Sequence, residues 1–109
     1  MAARYVLRKS NVQYYWVLYS GNNEALLSSE MYTTKASAEG GIASARVNSP
    51  LDARFERKQS SSNQPYFVLK GANHETIGLS EMYNSVAARE NGIAATKRDG
   101  PTAPTVDQA

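Results

Sequence analysis

Two glutamates, Glu30 and Glu81, are the leading candidates for chemistry because each lies in an identical tetrapeptide, Ser-Glu-Met-Tyr, at residues 29–32 and 80–83. If a symmetric fold brought the two copies together, the paired carboxylates could exchange protons or bind a cation. A glutamate between a strand and a helix can instead accept hydrogen bonds from the first N–H groups of that helix. The sequence favours this structural role, with both tetrapeptides as corners packed by their Met and Tyr side chains: Ser29, Glu30, Met31 and Tyr32, and Ser80, Glu81, Met82 and Tyr83.

The other residue types that commonly carry catalysis are sparse. His74 is the single histidine and sits in a predicted turn with only Glu75 nearby, whereas a zinc site needs three or four ligands. The chain has no cysteine, and no serine lies in a nucleophile-elbow motif. The pair Gly40-Gly41 lacks the Lys-Ser/Thr of a phosphate-binding loop. We therefore predict no enzyme, with no catalytic residue, metal or cofactor.

The composition of the 109 residues predicts a single globular domain, residues 1–109. Twelve Lys and Arg against ten Asp and Glu give a net charge of +2, and the basic residues are scattered, so the charge indicates a nucleic-acid partner only weakly. No apolar run is long enough for a signal peptide or a membrane span. We expect a cytoplasmic protein without a membrane partner.

The tetrapeptides belong to a longer internal repeat. Residues 15–48 align with residues 66–99 without gaps, and 14 of the 34 positions are identical, among them Gly41 and Gly92. The repeats extend over residues 4–53 and 54–107. Two copies are too few for a solenoid, which needs about three to bury a continuous core. A closed pair related by a pseudo-twofold axis is the predicted arrangement.

Each repeat has the same predicted order of elements: three strands with period-two alternation, then an Ala-rich helix. Thr33 or Thr34 begins the first helix and Asn84 or Ser85 the second. A glycine costs a helix about 1 kcal/mol relative to alanine, so its presence at positions 41 and 92 predicts close contact between the helix backbone and the sheet. The fold class is α+β, with a single antiparallel sheet, both helices on one face and a last edge strand near residues 105–107.

The segments SEMYTTKASAEGGIASARVN and SEMYNSVAARENGIAATKRD, each preceded by an aromatic strand and an Asn-x-Glu turn, resemble the repeats of the small bacterial YegP-like family. The resemblance implies two β3-α-β units in one sheet, with the closing strand of each unit exchanged into the other, and it implies no reaction. The chain departs from the family pattern at Asn23 and His74, where glycine is usual in the turn, and at Val86, where the first copy has Lys35.

The sheet face opposite the helices is the predicted binding surface. Period-two alternation places aromatic, apolar and basic side chains on it: Tyr15, Val17, Tyr19, Tyr66, Val68 and Lys70, with Arg8 and Lys58 on neighbouring strands. Tyrosines among basic residues can stack on single-stranded nucleic acid or contact a protein, and tyrosine is also a common strand residue without any ligand. We predict a non-enzymatic binding module with a protein or single-stranded nucleic-acid partner.

Overall fold

The computed structural model describes residues 2–109, which form seven strands and two helices. Each repeat contributes a run of three strands and a helix, and one short strand follows the second helix. The elements are β1 Arg4–Ser10, β2 Gln13–Tyr19, β3 Ala25–Ser29, α1 Lys35–Asn48, β4 Phe55–Gln59, β5 Pro65–Lys70, β6 Thr76–Leu79, α2 Val86–Asp99 and β7 Thr105–Asp107. The predicted α+β class with one sheet is confirmed.

The strands lie in the order β4-β5-β6-β3-β2-β1-β7. The pairing of β3 with β6 joins the two repeats, and Ser28 lies opposite Leu79 there. β4, which follows α1, opens the second repeat and pairs there with β5, whereas β7, which follows α2, pairs with β1 of the first repeat. The sheet is mixed rather than wholly antiparallel, since β7 runs parallel to β1. The connection through α2 carries the chain from β6 across the sheet to the outer edge of β1, where β7 pairs.

Tight turns connect the strands of each hairpin. Their non-glycine residues with positive φ are all Asn or His, the types that tolerate this region best: Asn11, Asn23, Asn63 and His74. The departures from glycine at positions 23 and 74 therefore keep the turn conformation. His74 is exposed, as predicted for a turn residue.

Side-chain caps begin both helices. Thr34 Oγ1 accepts the Ser37 N–H at 3.0 Å, and Ser85 Oγ accepts the Ala88 N–H at 3.0 Å. Of the alternatives predicted for each helix, the residue next to the helix is the cap in both repeats. These contacts satisfy backbone donors that the first helical turn otherwise leaves free.

One hydrophobic core lies between the sheet and the two helices. Its largest fully buried side chains come from β1, β2, β3 and β5, with Ile42 from α1 and Ile93 from α2: Tyr5, Leu7, Trp16, Leu18, Leu27, Phe67 and Leu69. These strand residues alternate with the residues of the opposite face, so both helices cover the same face, as predicted. The other face carries no helix.

The close contact predicted at the two helix glycines exists, and its nearest partner is the tetrapeptide tyrosine at the corner. A Cβ on Gly41 would overlap the Tyr32 hydroxyl, and a Cβ on Gly92 would overlap the Tyr83 hydroxyl. The contact with the sheet that the sequence predicted exists at Gly41, where a Cβ would also lie 2.9 Å from Trp16 Nε1 of β2. Each glycine in addition leaves room for the aromatic ring that connects the third strand to the helix.

Candidate functional site on the helix-free face

The Ser-Glu-Met-Tyr segments are strand bulges. Ser29 Oγ accepts the Trp16 N–H at 2.9 Å, while Tyr32 exchanges two backbone hydrogen bonds with Tyr14, at 2.7 and 2.8 Å. Between these two contacts the chain has two residues on one strand, Glu30 and Met31, but only one residue on the other, Tyr15. Glu30 and Met31 therefore both lie opposite Tyr15. The tetrapeptide ends β3 and turns the chain toward α1.

The second copy repeats this geometry with one difference. Ser80 Oγ accepts the Phe67 N–H at 2.9 Å, and the Tyr83 N–H donates to the Pro65 carbonyl at 2.8 Å. Pro65 replaces Tyr14 and has no N–H, so the reciprocal hydrogen bond is missing. Glu81 and Met82 lie opposite Tyr66.

The bulges correct the predicted role of the methionines. Met31 is 52% exposed and Met82 is 48% exposed, so neither packs the corner. The tyrosines do, since Tyr32 and Tyr83 pack against the core. The bulge turns the two residues between Ser and Tyr outward, and each methionine is left at the surface.

Glu30 and Glu81 do not form a pair. Ser28 lies opposite Leu79 in antiparallel strands, so Glu30 and Glu81 extend from this point in opposite directions. They are separated by about 13 Å along the strands, at roughly 3.3 Å per residue. Within residues 2–109, no group of three or more His, Cys, Asp and Glu side chains could hold a metal ion. The predicted alternative of a shared Glu30/Glu81 site is therefore wrong, because the twofold-related strands are antiparallel.

Glu30 instead lies near the Asn-x-Glu turn of the second repeat, and Tyr83, two residues after Glu81, lies near that of the first repeat. Glu30 and Glu75 line a groove of about 230 Å³ beside Tyr32 and Gly41. The counterpart groove, of about 420 Å³, includes Glu24, Leu26, Tyr83, Gly92 and Arg98. Neither groove was predicted from the sequence. The Asn-x-Glu turn, which occurs in both repeats, was the feature that could have indicated them.

The two corner tyrosines are held in the neutral form. Burial raises the pKa of Tyr32, and the Glu30 charge adds to this, while an interaction with Trp16 opposes it. The Trp16 Nε1 is itself buried without a hydrogen bond of regular geometry. Burial is also the main cause that raises the pKa of Tyr83, followed by Glu81 and Glu24. Neither hydroxyl is therefore suited to act as a base near neutral pH.

A row of side chains crosses the helix-free face, one from each strand. The strand pairing places these residues side by side in the order Glu56, Val68, Leu79, Ser28, Val17, Val6 and Val106. The predicted site residues Val17 and Val68 belong to this row but are only 8% and 4% exposed. No helix covers them, so neighbouring side chains on the same face shield them. Leu79, next to the central residue Ser28, is 46% exposed.

The remaining predicted site residues flank this row. Tyr15, Tyr19 and Tyr66 are partly buried, and the Arg4 guanidinium stacks 5.0 Å from the Tyr19 ring centre. Lys70 forms an ion pair with Glu56 at 2.9 Å. The structure thus places all six predicted residues on one face. Of these six, the three tyrosines and Lys70 are accessible. Leu79 was not predicted, since its counterpart in the first repeat is Ser28.

Two lysines on this face share one carboxylate. Glu56 pairs with Lys58 at 3.1 Å as well as with Lys70, and these pairs lower the pKa of its carboxyl. Glu30 and Glu81 are exposed opposite the two tyrosines Tyr15 and Tyr66. These carboxylates would repel a phosphate backbone near the rings on which bases could stack.

Together the fold and this surface define an α+β tandem-repeat protein with one sheet covered on a single face. The chain belongs to the family of the domain of unknown function DUF1508, which matches twice, at residues 9–56 and 60–107. The resemblance to YegP-like proteins predicted from the sequence is confirmed. The family description assigns no activity.

Relatives cover nearly the whole chain. A UPF0339 protein of Bordetella pertussis is 49% identical over 108 residues, 99% of this chain and 97% of the relative. The UPF0339 protein YegP of Escherichia coli O157:H7 is 52% identical over 101 residues, 92% of each chain.

Two solution NMR structures share the fold. The YegP protein of unknown function from E. coli matches with a TM-score of 0.92 at 48% identity, covering 99% of this chain and 94% of that one. A UPF0339 protein of Shewanella oneidensis matches with a TM-score of 0.91 at 45% identity, covering 98% and 92%. In this chain, neither helix of the described residues is long and apolar enough to cross a membrane.

Proposed function

We propose that the chain is a non-enzymatic protein-interaction module whose contact surface is the helix-free face. The observation that carries this proposal is Leu79, which is 46% exposed next to the central residue of a seven-strand row that is otherwise shielded or polar near its middle. Burying a leucine side chain contributes about 1.5–3 kcal/mol, so a partner that covers Leu79 gains a central apolar contact.

The surroundings of Leu79 favour a protein over a nucleic acid. Met31 and Met82 are exposed opposite Tyr15 and Tyr66, and flexible methionines adapt well to a protein surface. The Glu56 carboxylate already pairs with Lys58 and Lys70, so these two lysines are less available to phosphates. Tyr and Met are also enriched in protein interfaces, from which charged residues are depleted at the centre.

The test is NMR titration of the isotope-labelled full chain with protein fractions of a bacterial lysate and, separately, with single-stranded oligonucleotides. We expect a protein fraction to shift the amides of Tyr15, Tyr66 and Leu79. The variant Leu79→Ser, which copies the residue of the first repeat, should weaken this effect about tenfold, the equivalent of 1.4 kcal/mol. Val12→Ser is the control, since Val12 is exposed in the β1–β2 turn away from this row.

Shifts on this face from oligonucleotides alone would contradict the protein partner in favour of a nucleic acid. Perturbations confined to other surfaces, or binding equally strong in the Leu79→Ser variant, would refute the assignment of the face.

A further inference from the structure

The outer edge of β4 lacks the cover that its counterpart in the first repeat has. The pairings Tyr5 with Leu18 and Phe55 with Leu69 show that β1 and β4 occupy equivalent places in the two hairpins. β7 lies along the outer edge of β1, whereas β4 is the last strand of the sheet and pairs only with β5 within residues 2–109. An uncovered edge offers a row of backbone donors and acceptors to another strand.

The equivalence with β1 identifies which backbone groups of β4 point outward. Tyr5 N–H donates to the Pro104 carbonyl of the β7 segment at 2.8 Å, and Leu7 C=O accepts the Gln108 N–H at 2.8 Å. Their counterparts are Phe55 and Arg57. Because outward-pointing residues alternate along a strand, Gln59 belongs to the same set.

A parallel strand placed like β7 would not find all of its partners on β4. The chain enters β4 through a 3₁₀ turn, Asp52–Arg54, and the Phe55 N–H donates to the Asp52 carbonyl in this turn. The equivalent Tyr5 N–H is the donor to the β7 segment. The free groups that remain are the Phe55 carbonyl and both backbone groups of Arg57 and Gln59, which fit an antiparallel strand.

The side chains of β4 are complementary to a second copy of the same strand. Charged residues on an edge usually prevent association because like charges meet. Here Glu56 and Lys58 lie on the helix-free face, one residue on either side of Arg57. An antiparallel pair centred on Arg57 would place Glu56 of each strand opposite Lys58 of the other, and opposite charges across strands are stabilising.

We propose that β4 pairs with β4 of a second copy of the chain, antiparallel and about a twofold axis at Arg57. The Arg57 N–H of each copy donates to the Arg57 carbonyl of the other, and each Gln59 N–H donates to the Phe55 carbonyl of the other copy. The two Arg57 side chains meet on the helix side, where each is neutralised within its own chain by Asp52 at 3.1 Å and Glu90 at 3.0 Å. The two sheets become one.

The interface is small. A pair of five-residue strands buries less than the roughly 1,200 Å² below which complexes are usually transient, so the fraction of dimer depends on concentration. The contact uses the backbone edge of β4 and the side chains of Glu56 and Lys58 at the margin of the helix-free face. It does not involve Leu79, so this contact and the one in Proposed function can each exist without the other.

The experiment is sedimentation equilibrium of the full chain from micromolar to millimolar concentration. Glu56→Lys and Lys58→Glu each place like charges opposite one another, and each should weaken dimerisation about tenfold or more. The double variant with both changes restores opposite charges across the axis and should return the association to within about threefold of the original. Arg8→Glu is the control: Arg8 is the counterpart of Lys58 on β1, whose edge β7 covers.

Circular dichroism and thermal unfolding establish that each variant is folded. For the unchanged chain, line broadening with concentration should be concentrated at the amides of Arg57 and Gln59. A chain that stays monomeric at millimolar concentration, a dimer insensitive to both single charge reversals, or broadening confined to other strands would each overturn the proposal. Weakening by Arg8→Glu equal to that by Lys58→Glu would place the contact on the helix-free face instead.

Discussion

The adjacent glycines of α1 allow a matched test of the helix-to-corner contact. A Cβ added at Gly40 meets no atom within 4 Å, whereas at Gly41 it would overlap the Tyr32 hydroxyl and lie 2.8 Å from Cζ of that ring and 2.9 Å from Trp16 Nε1. Both changes to alanine gain the same helix propensity, about 1 kcal/mol. Only Gly41→Ala must also displace two ring systems.

Overpacking of this kind costs about 1–3 kcal/mol. We therefore expect Gly40→Ala to raise the free energy of unfolding by about 1 kcal/mol and Gly41→Ala to leave it unchanged or lower it by up to about 2 kcal/mol. Equilibrium urea unfolding measures both values. For a domain of this size, each kcal/mol corresponds to roughly 4–8 °C in the melting temperature.

The second repeat provides an independent check of the same contact. A Cβ on Gly92 would overlap the Tyr83 hydroxyl and lie 2.7 Å from Cζ of the ring. Tyr83→Phe removes the hydroxyl but leaves the ring carbon, so combining it with Gly92→Ala should recover only part of the lost stability. If Gly41→Ala and Gly92→Ala were both as stable as Gly40→Ala, the close contact between tyrosine and helix would be refuted.

Two further predictions concern buried hydrogen bonds. Tyr5 is fully buried, its hydroxyl donates to the Gly100 carbonyl at 2.8 Å, and burial raises its pKa to about 12. Because this pKa lies above the unfolded value, the contribution of Tyr5 to the free energy of unfolding is complete below about pH 10. It falls by roughly 1.4 kcal/mol per pH unit from pH 10 to pH 12. Urea unfolding across this range should show a smaller decline in Tyr5→Phe, and an equal decline would contradict the assignment. Ser80→Ala leaves the buried Phe67 N–H without its acceptor and should lower the free energy of unfolding by about 1–3 kcal/mol, as measured by chemical unfolding. Ser29→Ala, at the more exposed first copy, should lower it by less. Equal losses of stability in the two variants would argue against burial as the cause.

The features that sequence predicted well are those set by local chemistry and by the repeat itself. Thr34 and Ser85 cap the helices because their hydroxyls reach N–H groups three residues ahead. Asn23 and His74 take positive φ because these side chains tolerate it. The identical residues of the two copies indicated a shared framework, and the joined sheet follows from it.

The features that sequence could not predict depend on register. Whether Glu30 meets Glu81 is decided by the antiparallel pairing of Ser28 with Leu79, and no property of the tetrapeptide encodes it. The exposure of Met31 results from the bulge opposite Tyr15. Alternation correctly placed Val17 on the helix-free face, but its shielding depends on neighbours from other strands.

Some of the differences between the two repeats are explained by packing, and others are not. Near the pseudo-twofold axis, equivalent residues approach each other and only one can be large. A Cβ on Gly78 would lie 2.8 Å from Cγ of Leu27, its counterpart, and a Cβ on Gly100 would lie 2.7 Å from Cβ of Ser49. Packing therefore explains why the residues of these two pairs differ.

The pair Ser28 and Leu79 has no such explanation. It lies one residue along the same strands, but on the face without helices, where both residues are exposed and neither excludes the other. Leu79 keeps 46% of its surface exposed, so folding of the monomer captures only part of the burial that a leucine can contribute. Leu79 is thus an asymmetric residue near the axis with apolar surface left uncovered in the monomer, and a partner that buries this surface would gain the rest.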